Sequence, residues 1–182
     1  AALKNKRIAI PGRYTTAALL FRMFSPASND LVEMRFEQII DAVASGKVDA
    51  GVIIHESRFT YRQSGLVCLQ DLGQWWEDSF DAPLPLGCIA VKRELGPLLR
   101  EEAGRRIEAS LQWARSNPIA CYTFIKHHDQ ETDDKVKDHH LELCVNDFSV
   151  VLGDEVWRAV AMFFEVGRQR GVLPLWSGSV FC

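Results

Sequence analysis

The feature that most constrains this chain is the alternation of short apolar runs with amphipathic segments over residues 1–95. "RIAIP" (Arg7–Pro11) predicts a strand, and "TTAALLFRMF" (Thr15–Phe24) predicts a helix that a threonine hydroxyl can cap. "LVEMRF" then predicts a strand, "EQIIDAVASG" a helix that ends at Gly46, and "DAGVIIH" a buried strand. A strand–helix alternation of this kind is typical of an α/β fold.

Two further apolar runs extend the predicted sheet. "GLVCLQDL" and "PLGCIAVKR" (Pro85–Arg93) have the composition of strands, and "GQWWEDSF" between them predicts a short helix. From Glu94 onwards the strand pattern stops, and four helices are predicted: Leu98–Ser116, Pro118–His128, Thr132–Asn146 and Asp154–Arg170. The chain therefore divides into an α/β part, 1–95, and a helical part, 96–182.

Composition narrows the classes of function. The 182 residues are 47% hydrophobic and 25% charged with a net charge of −3, which indicates an ordinary globular protein and gives no reason to expect nucleic-acid binding. No apolar run approaches the roughly 18–20 residues of a membrane span, and the first residues are too polar for a signal peptide. We therefore expect a cytoplasmic protein without membrane contact.

The five cysteines are scattered and form no C-x-x-C pair. This pattern favours buried, reduced thiols over a disulfide framework or a cysteine zinc site. Two histidine pairs, His127-His128 and His139-His140, precede Cys144, but consecutive helical residues point about 100° apart and each pair supplies at most one convergent ligand. A solvated, charged helix face is the better interpretation, and no metal is expected.

Polar residues follow two of the predicted strands at their carboxyl ends, where ligands bind in open α/β sheets. Thr15 and Thr16 start a helix and can offer hydroxyls and first-turn amides to a carboxylate, although taken alone the pair is better explained as a simple helix cap. His55 is the first polar group after "GVII". It is placed to act as a general base near neutral pH, or to be a histidine hydrogen-bonded at a strand end.

Aromatic and polar residues around these positions leave further alternatives open. Trp75, Trp76 and Phe80 could stack on a ring-shaped ligand or pack in the core. Arg58 and Tyr61 could reach a ligand through charge-assisted or hydroxyl contacts. For Arg58, a structural ion pair with Glu56 or a bond to a backbone carbonyl is an equal alternative.

Four blocks, in order, carry a family resemblance: "PGRYTTAALL", "DAGVIIHESRFTY", "DLGQWW" and "PLPLG". They resemble the 1,4-dihydroxy-6-naphthoate synthases of the futalosine route to menaquinone, and "CVNDFSVVLGDEVWRAV" resembles the C-terminal helical region of that family. The resemblance implies a lyase with a type II periplasmic-binding-protein fold, two α/β lobes around a cleft, and no metal or organic cofactor. The implied reaction breaks down cyclic dehypoxanthine futalosine, a small carboxylate substrate.

The resemblance also implies roles for individual residues. His55 would draw a proton from the substrate, and Thr15 and Thr16 would hold its carboxylate. Residues 1–95 would belong to the second lobe and 96–182 to a helical region that packs back on the first lobe. The N-terminal part of that first lobe has no counterpart in this sequence, so we expect "AVAMFFEV" to need cover from a missing lobe or another copy of the chain.

Two other functions are compatible with the same residues. A solute-binding module of the same fold would bind an acid without turnover. Chorismate dehydratase shares the "DLG…W" block, but "PLPLG" matches the synthases better.

Overall fold

The computed structural model describes residues 3–25, 29–55, 57–87, 89–128, 145–150 and 153–175. The chain separates into two compact units, Ala1–Leu86 with Arg158–Gly178, and Gly87–Trp157 with Ser179–Cys182. In the described residues the helices are α1 (Thr16–Phe24), α2 (Ile39–Ala44), α3 (Ser57–Thr60), α4 (Leu72–Phe80), α5 (Gly96–Ser116), α6 (Pro118–His128), α7 (Asp147–Val150) and α8 (Asp154–Gln169). Short 3₁₀ turns are formed by Phe36–Gln38, Tyr61–Ser64 and Arg93–Leu95.

A small parallel sheet lies in the first unit. In the described part of the chain its strands are β1 (Arg7–Ile10), β2 (Asp30–Glu33) and β3 (Ala50–Gly51), in the order β2-β1-β3. The ladder continues past β3, because the amide of Val52 donates to the carbonyl of Ala9 at 2.9 Å. The predicted α/β class and these three strands are confirmed.

Helices cover both faces of the sheet, as the burial of the consecutive β1 residues Ile8, Ala9 and Ile10 requires. Ile8 and Ile10 pack with Phe21 of α1 on one face. Ala9 packs with Ile39 of α2 on the other face. The chain that follows β1 therefore continues into α1 on one face of the sheet. The 3₁₀ turn Tyr61–Ser64, which comes after β3 and α3, packs against α2, the helix on the other face. The connections that follow β1 and β3 leave towards opposite faces, and in open α/β sheets ligands bind in the crevice that such an arrangement leaves between two strand ends.

A second core layer lies on the outer side of α1. Leu20 and Met23 pack with Trp76 of α4 and with Phe163 and Val166 of α8. The segment "AVAMFFEV" is therefore covered on one face within its own unit. The expectation that this face needs a missing lobe or another copy is wrong for these residues, because α4 and α1 bury it.

The second unit consists of helices in its described residues. On α5, Glu102 pairs with Arg105 at 2.8 Å and Arg106 at 2.7 Å, and these bonds keep the pKa of its carboxyl below the ordinary value. The α5 side chain of Arg115 pairs with Asp147 of α7 at 3.0 Å.

Two predicted strands are wrong. Residues 65–71 and the described residues of 85–92 form no strand, and their apolar side chains Val67, Leu69 and Ile89 are exposed. An apolar run becomes a strand only where a neighbouring strand accepts its backbone bonds, and none pairs with these residues in the described structure. Residues 132–144 of the predicted helix Thr132–Asn146 lie outside the described residues.

Three further observations complete the fold. None of the helices in the described ranges is long and apolar enough to cross a membrane. Cys68 is exposed and Cys121 is half-buried, both as free thiols, so the prediction of burial is wrong for Cys68. Cys88, Cys144 and Cys182 lie outside the described residues.

Candidate functional site

The candidate site lies at the carboxyl edge of the sheet in the first unit. All three strands are parallel, so the segments after Ile10, Glu33 and Gly51 start from the same edge. Thr15 and Thr16 follow β1, and His55 follows β3 on the neighbouring strand. The strand order therefore places the predicted residues at the crevice between β1 and β3.

Thr15 is the N-cap of α1. Its backbone is extended, and its Oγ1 accepts from the amide of Ala18 at 3.1 Å. The same hydroxyl donates to the carbonyl of Gly12 at 2.8 Å. Gly12 has a φ of 141°, a conformation that other residues rarely adopt, so it shapes the turn that brings Thr15 to the helix start. The Thr15 hydroxyl thus has a structural role, whatever else it binds.

Thr16 connects the helix start to a distant segment. Its Oγ1 donates to the carbonyl of Leu86, 70 residues away, at 3.3 Å. As in any α-helix, the first-turn amides of Thr16 and Ala17 have no acceptor within the helix. These amides form the positive end of the helix dipole, and such an environment favours an anion.

His55 has an unusual backbone at the end of the predicted strand. Its φ is 55°, in the left-handed region, and its side chain is exposed. Residues other than glycine adopt this conformation rarely, although histidine does so more often than most, and such residues cluster at functional sites. The carbonyl of His55 accepts from the amide of Arg58 at 3.3 Å, which ties the turn to α3.

The structure adds residues that sequence reasoning missed. The Phe36 ring lies against the His55 imidazole, with the centroids 4.8 Å apart and the planes at 53°. Next to it, Glu37 receives bonds from Arg35 at 3.0 and 3.4 Å. The Arg35 bond, a backbone bond, and the charges of Arg35 and His55 hold the pKa of Glu37 below its ordinary value. The only sequence signal was that "RFE" spans the end of the predicted strand "LVEMRF" and the start of the predicted helix "EQIIDAVASG".

Arg58 and Tyr61 have contacts of their own. Arg58 Nη2 lies 3.4 Å from Asp71 Oδ2, and Asp71 also caps α4 by accepting from the amides of Gly73 and Gln74. The described ion-pair partner of Arg58 is thus Asp71, while Glu56 lies outside the described residues. The Tyr61 hydroxyl accepts from Arg62 Nε at 3.2 Å. These contacts stabilise the segment after His55, and a ligand role for Arg58 and Tyr61 stays a prediction.

Both tryptophans of the aromatic group have partners within the protein. Trp76 is fully buried and packs edge-to-face against Phe163, with the ring centroids 5.0 Å apart, which supports core packing. Trp75 is half-buried and lies under the guanidinium of Arg170 at 5.3 Å. Neither tryptophan is positioned as an open platform for a ligand.

The histidines of α6 are engaged along their own helix. His128 Nδ1 lies 2.8 Å from the carbonyl of Phe124, and the two rings stack at 4.2 Å. No group of three or more His, Cys, Asp or Glu side chains in the described ranges is arranged to hold a metal ion. His139, His140 and Cys144 lie outside those ranges.

These features define an α/β protein with a parallel sheet and a candidate ligand site at its carboxyl edge. Comparison with known proteins gives the family: residues 1–169 match the family model described as menaquinone biosynthesis, and the chain belongs to this family.

Two curated relatives share most of the chain. A 1,4-dihydroxy-6-naphthoate synthase of Thermus thermophilus is 42% identical over 171 residues, which cover 94% of this chain and 62% of the relative. A protein of the same name from Streptomyces coelicolor is 36% identical over 179 residues, 96% of this chain and 64% of the relative. The chain therefore spans less than two thirds of the length of these relatives.

A solved structure shows the same fold. The crystal structure of a protein from Archaeoglobus fulgidus superposes with a TM-score of 0.88 at 35% identity, and the match covers 95% of this chain and 65% of that one. The likeness thus extends through both described units.

Proposed function

We propose that this chain carries part of the active site of a 1,4-dihydroxy-6-naphthoate synthase, a lyase that forms the naphthoate ring system of menaquinone from cyclic dehypoxanthine futalosine. The observation that carries the proposal is His55. It is an exposed imidazole on a left-handed backbone at the carboxyl edge of the sheet, in a family named for menaquinone biosynthesis. The two curated relatives bear the name of this enzyme.

His55 is the proposed general base. An imidazole exchanges protons near neutral pH, and a strand end with bonded backbone behind it holds the ring in a fixed place. The carboxylate of Glu37, whose pKa Arg35 holds below its ordinary value, adds a negative charge beside the Phe36–His55 contact. No cofactor enters this scheme, because proton removal and positioning are tasks that side chains can perform.

The start of α1 is the proposed anion site. The amides of the first turn and the hydroxyl of Thr16 would bind the substrate carboxylate, and Thr15 would shape this turn through its bonds to Gly12 and Ala18. Arg58 and Tyr61 are proposed as further substrate contacts from the segment after His55. A ligand would have to exchange with the present partners of Thr16 and Arg58, Leu86 and Asp71.

The proposal includes the finer architecture of the family. We infer a type II periplasmic-binding-protein fold, with residues 1–95 in the second lobe and 96–182 in the helical region. The helices and three parallel strands of the described residues are compatible with it. A cytoplasmic location, a small carboxylate substrate as the main partner, and a further lobe or another copy that completes the cleft belong to the same proposal.

The experiment is turnover of cyclic dehypoxanthine futalosine by the product of the complete gene and by this 182-residue chain, with and without His55→Asn. Asparagine is the matched substitution because it tolerates a positive φ and keeps the turn. We expect the substitution to lower kcat by about 10²–10⁴-fold while substrate still binds. Unchanged turnover would remove His55 from the mechanism. Tight binding of an acid without any product would favour a solute-binding module, and turnover of chorismate would favour the dehydratase.

A further inference from the structure

The contact between Phe36 and His55 joins two segments that are not neighbours in the sheet. Phe36 follows β2 and His55 follows β3, while β1 lies between these strands. Neighbouring strands are about 4.8 Å apart, so the ends of β2 and β3 are separated by about 10 Å. The two rings nevertheless approach to 4.8 Å between centroids. Phe36 and His55 lie three and four residues beyond their strands, so the two segments meet past the carboxyl edge of the sheet, at the edge that carries the candidate site.

The backbone that carries Phe36 is fixed on both sides. Before it, the amide of Met34 donates to the carbonyl of Ile10 at 3.1 Å and so extends the ladder past β2. After it, the 3₁₀ turn Phe36–Gln38 leads directly into Ile39, which is fully buried under the sheet. The ring of Phe36 is therefore presented from a rigid support.

The backbone that carries His55 is also fixed. Val52 is buried and bonded to Ala9, and the carbonyl of His55 is bonded to the amide of Arg58. The side chain itself is exposed, and exposed side chains change rotamer within picoseconds to nanoseconds. The χ2 angle of histidine is broad, so a fixed backbone alone does not fix which ring nitrogen faces a ligand.

We propose that Phe36 is a positioning residue for His55, and that its ring restricts the imidazole to one orientation at the carboxyl edge of the sheet. A general base acts efficiently only when its nitrogen is held near the proton that it removes, and a displacement of about 1 Å can cost about 10²-fold in rate. Phe36 does not touch the reacting atoms in this scheme. The inference deepens the proposed function and rests on it for its catalytic consequence, whereas the orientation of the ring is independent of it.

The first test measures orientation by NMR on the 182-residue chain, with Phe36→Leu, Phe36→Met and Phe36→Tyr. The His55 resonances are assigned by their loss in His55→Asn. We expect ring-current-shifted His55 signals and three-bond couplings of a single χ1 rotamer in the parent and in Phe36→Tyr. Phe36→Leu and Phe36→Met should lose the shift and give averaged couplings, while the signals of His127 on α6 stay unchanged. Averaged couplings in the parent, or no change in the two aliphatic variants, would overturn the inference.

The second test measures turnover by the product of the complete gene. We expect Phe36→Leu to lower kcat by about 10- to 100-fold with little change in KM. Phe36→Tyr, which keeps the aromatic ring, should keep the kcat of the parent protein. Full kcat in Phe36→Leu despite averaged couplings would reject the catalytic consequence. Full kcat in His55→Asn would instead remove His55 from the mechanism, and absence of turnover in the parent would reject the proposed function. Both outcomes leave the orientation result standing, so the failures are distinguishable.

Discussion

At the scale of single residues, the hydroxyl of Thr15 lies at the candidate site and is already engaged by the fold. Its oxygen accepts from Ala18 and donates to Gly12, so both functions of the hydroxyl are used before any ligand arrives. An N-cap residue adopts an extended backbone and satisfies one of the orphan amides of the first turn. The sequence analysis left the cap and the anion site open as alternatives, and the bonds establish the cap.

Substitution separates the two roles of the threonine pair. We expect Thr15→Ala to lower the free energy of unfolding by about 1 kcal/mol, because an amide in the first turn loses its acceptor, and Thr15→Ser to retain most of it. Thr16→Ala should leave stability nearly unchanged, since it removes only a 3.3 Å bond to Leu86, and should raise KM in the turnover assay. Chemical denaturation of the three variants checks the first expectation. A larger stability loss for Thr16→Ala than for Thr15→Ala would contradict it.

Local signals explain which parts of the site were predictable. The capping threonine of α1 and the strand that ends before His55 are specified by residues near to them in sequence, and both were predicted. The Phe36 contact joins the segments that follow β2 and β3, and it depends on the strand order β2-β1-β3. No local pattern encodes that order. The pairing of Arg58 with Asp71 was missed for a similar reason, because 13 residues and a turn separate them.

At the scale of elements, helices were predicted better than strands. The bounds of α6 agree with the prediction, and those of α1, α4, α5 and α8 agree within a few residues, since capping and periodicity act within one segment. A strand requires a partner elsewhere in the chain. The runs around Val67 and Ile89 have strand composition without such a partner in the described structure, and they stay irregular.

The packing of α2 on the sheet depends on a glycine in β3. A Cβ built at Gly51 would overlap with Cγ2 of Ile39 and lie 3.2 Å from Cγ2 of Val43, both on α2. We expect Gly51→Ala to lower the free energy of unfolding by about 1–3 kcal/mol, because the helix must move away from the strand.

The matched control for this prediction is Gly104→Ala. Gly104 lies inside α5 with nothing within 4 Å of a Cβ, so alanine there should raise helix stability by about 0.5–1 kcal/mol. Thermal unfolding followed by circular dichroism measures both variants. If Gly51→Ala and Gly104→Ala change the free energy of unfolding equally, the close approach of α2 does not determine the effect of a side chain at position 51.

At the scale of the whole molecule, the first unit is closed by residues from the far end of the sequence. Phe163 and Val166 of α8 complete the core around Trp76, and Arg170 donates to the carbonyl of Met23, 147 residues away. Such long-range contacts make the sheet unit dependent on α8. The candidate site sits on this unit, so its geometry depends on residues that follow it by about a hundred positions.

This dependence predicts a cooperative loss of structure when the far segment is weakened. Phe163→Ala leaves a cavity beside Trp76, and we expect it to lower the free energy of unfolding by about 3–5 kcal/mol. Tyr14→Ala removes an aromatic ring that is 97% exposed in the same unit, and should change stability by less than about 0.5 kcal/mol. Because α1 packs against the sheet with one side and against α8 with the other, tryptophan fluorescence and circular dichroism should report a single transition that shifts together in Phe163→Ala. Fraying of helical signal with an unshifted fluorescence transition would mean that α8 unfolds separately and that the sheet carries the site without it.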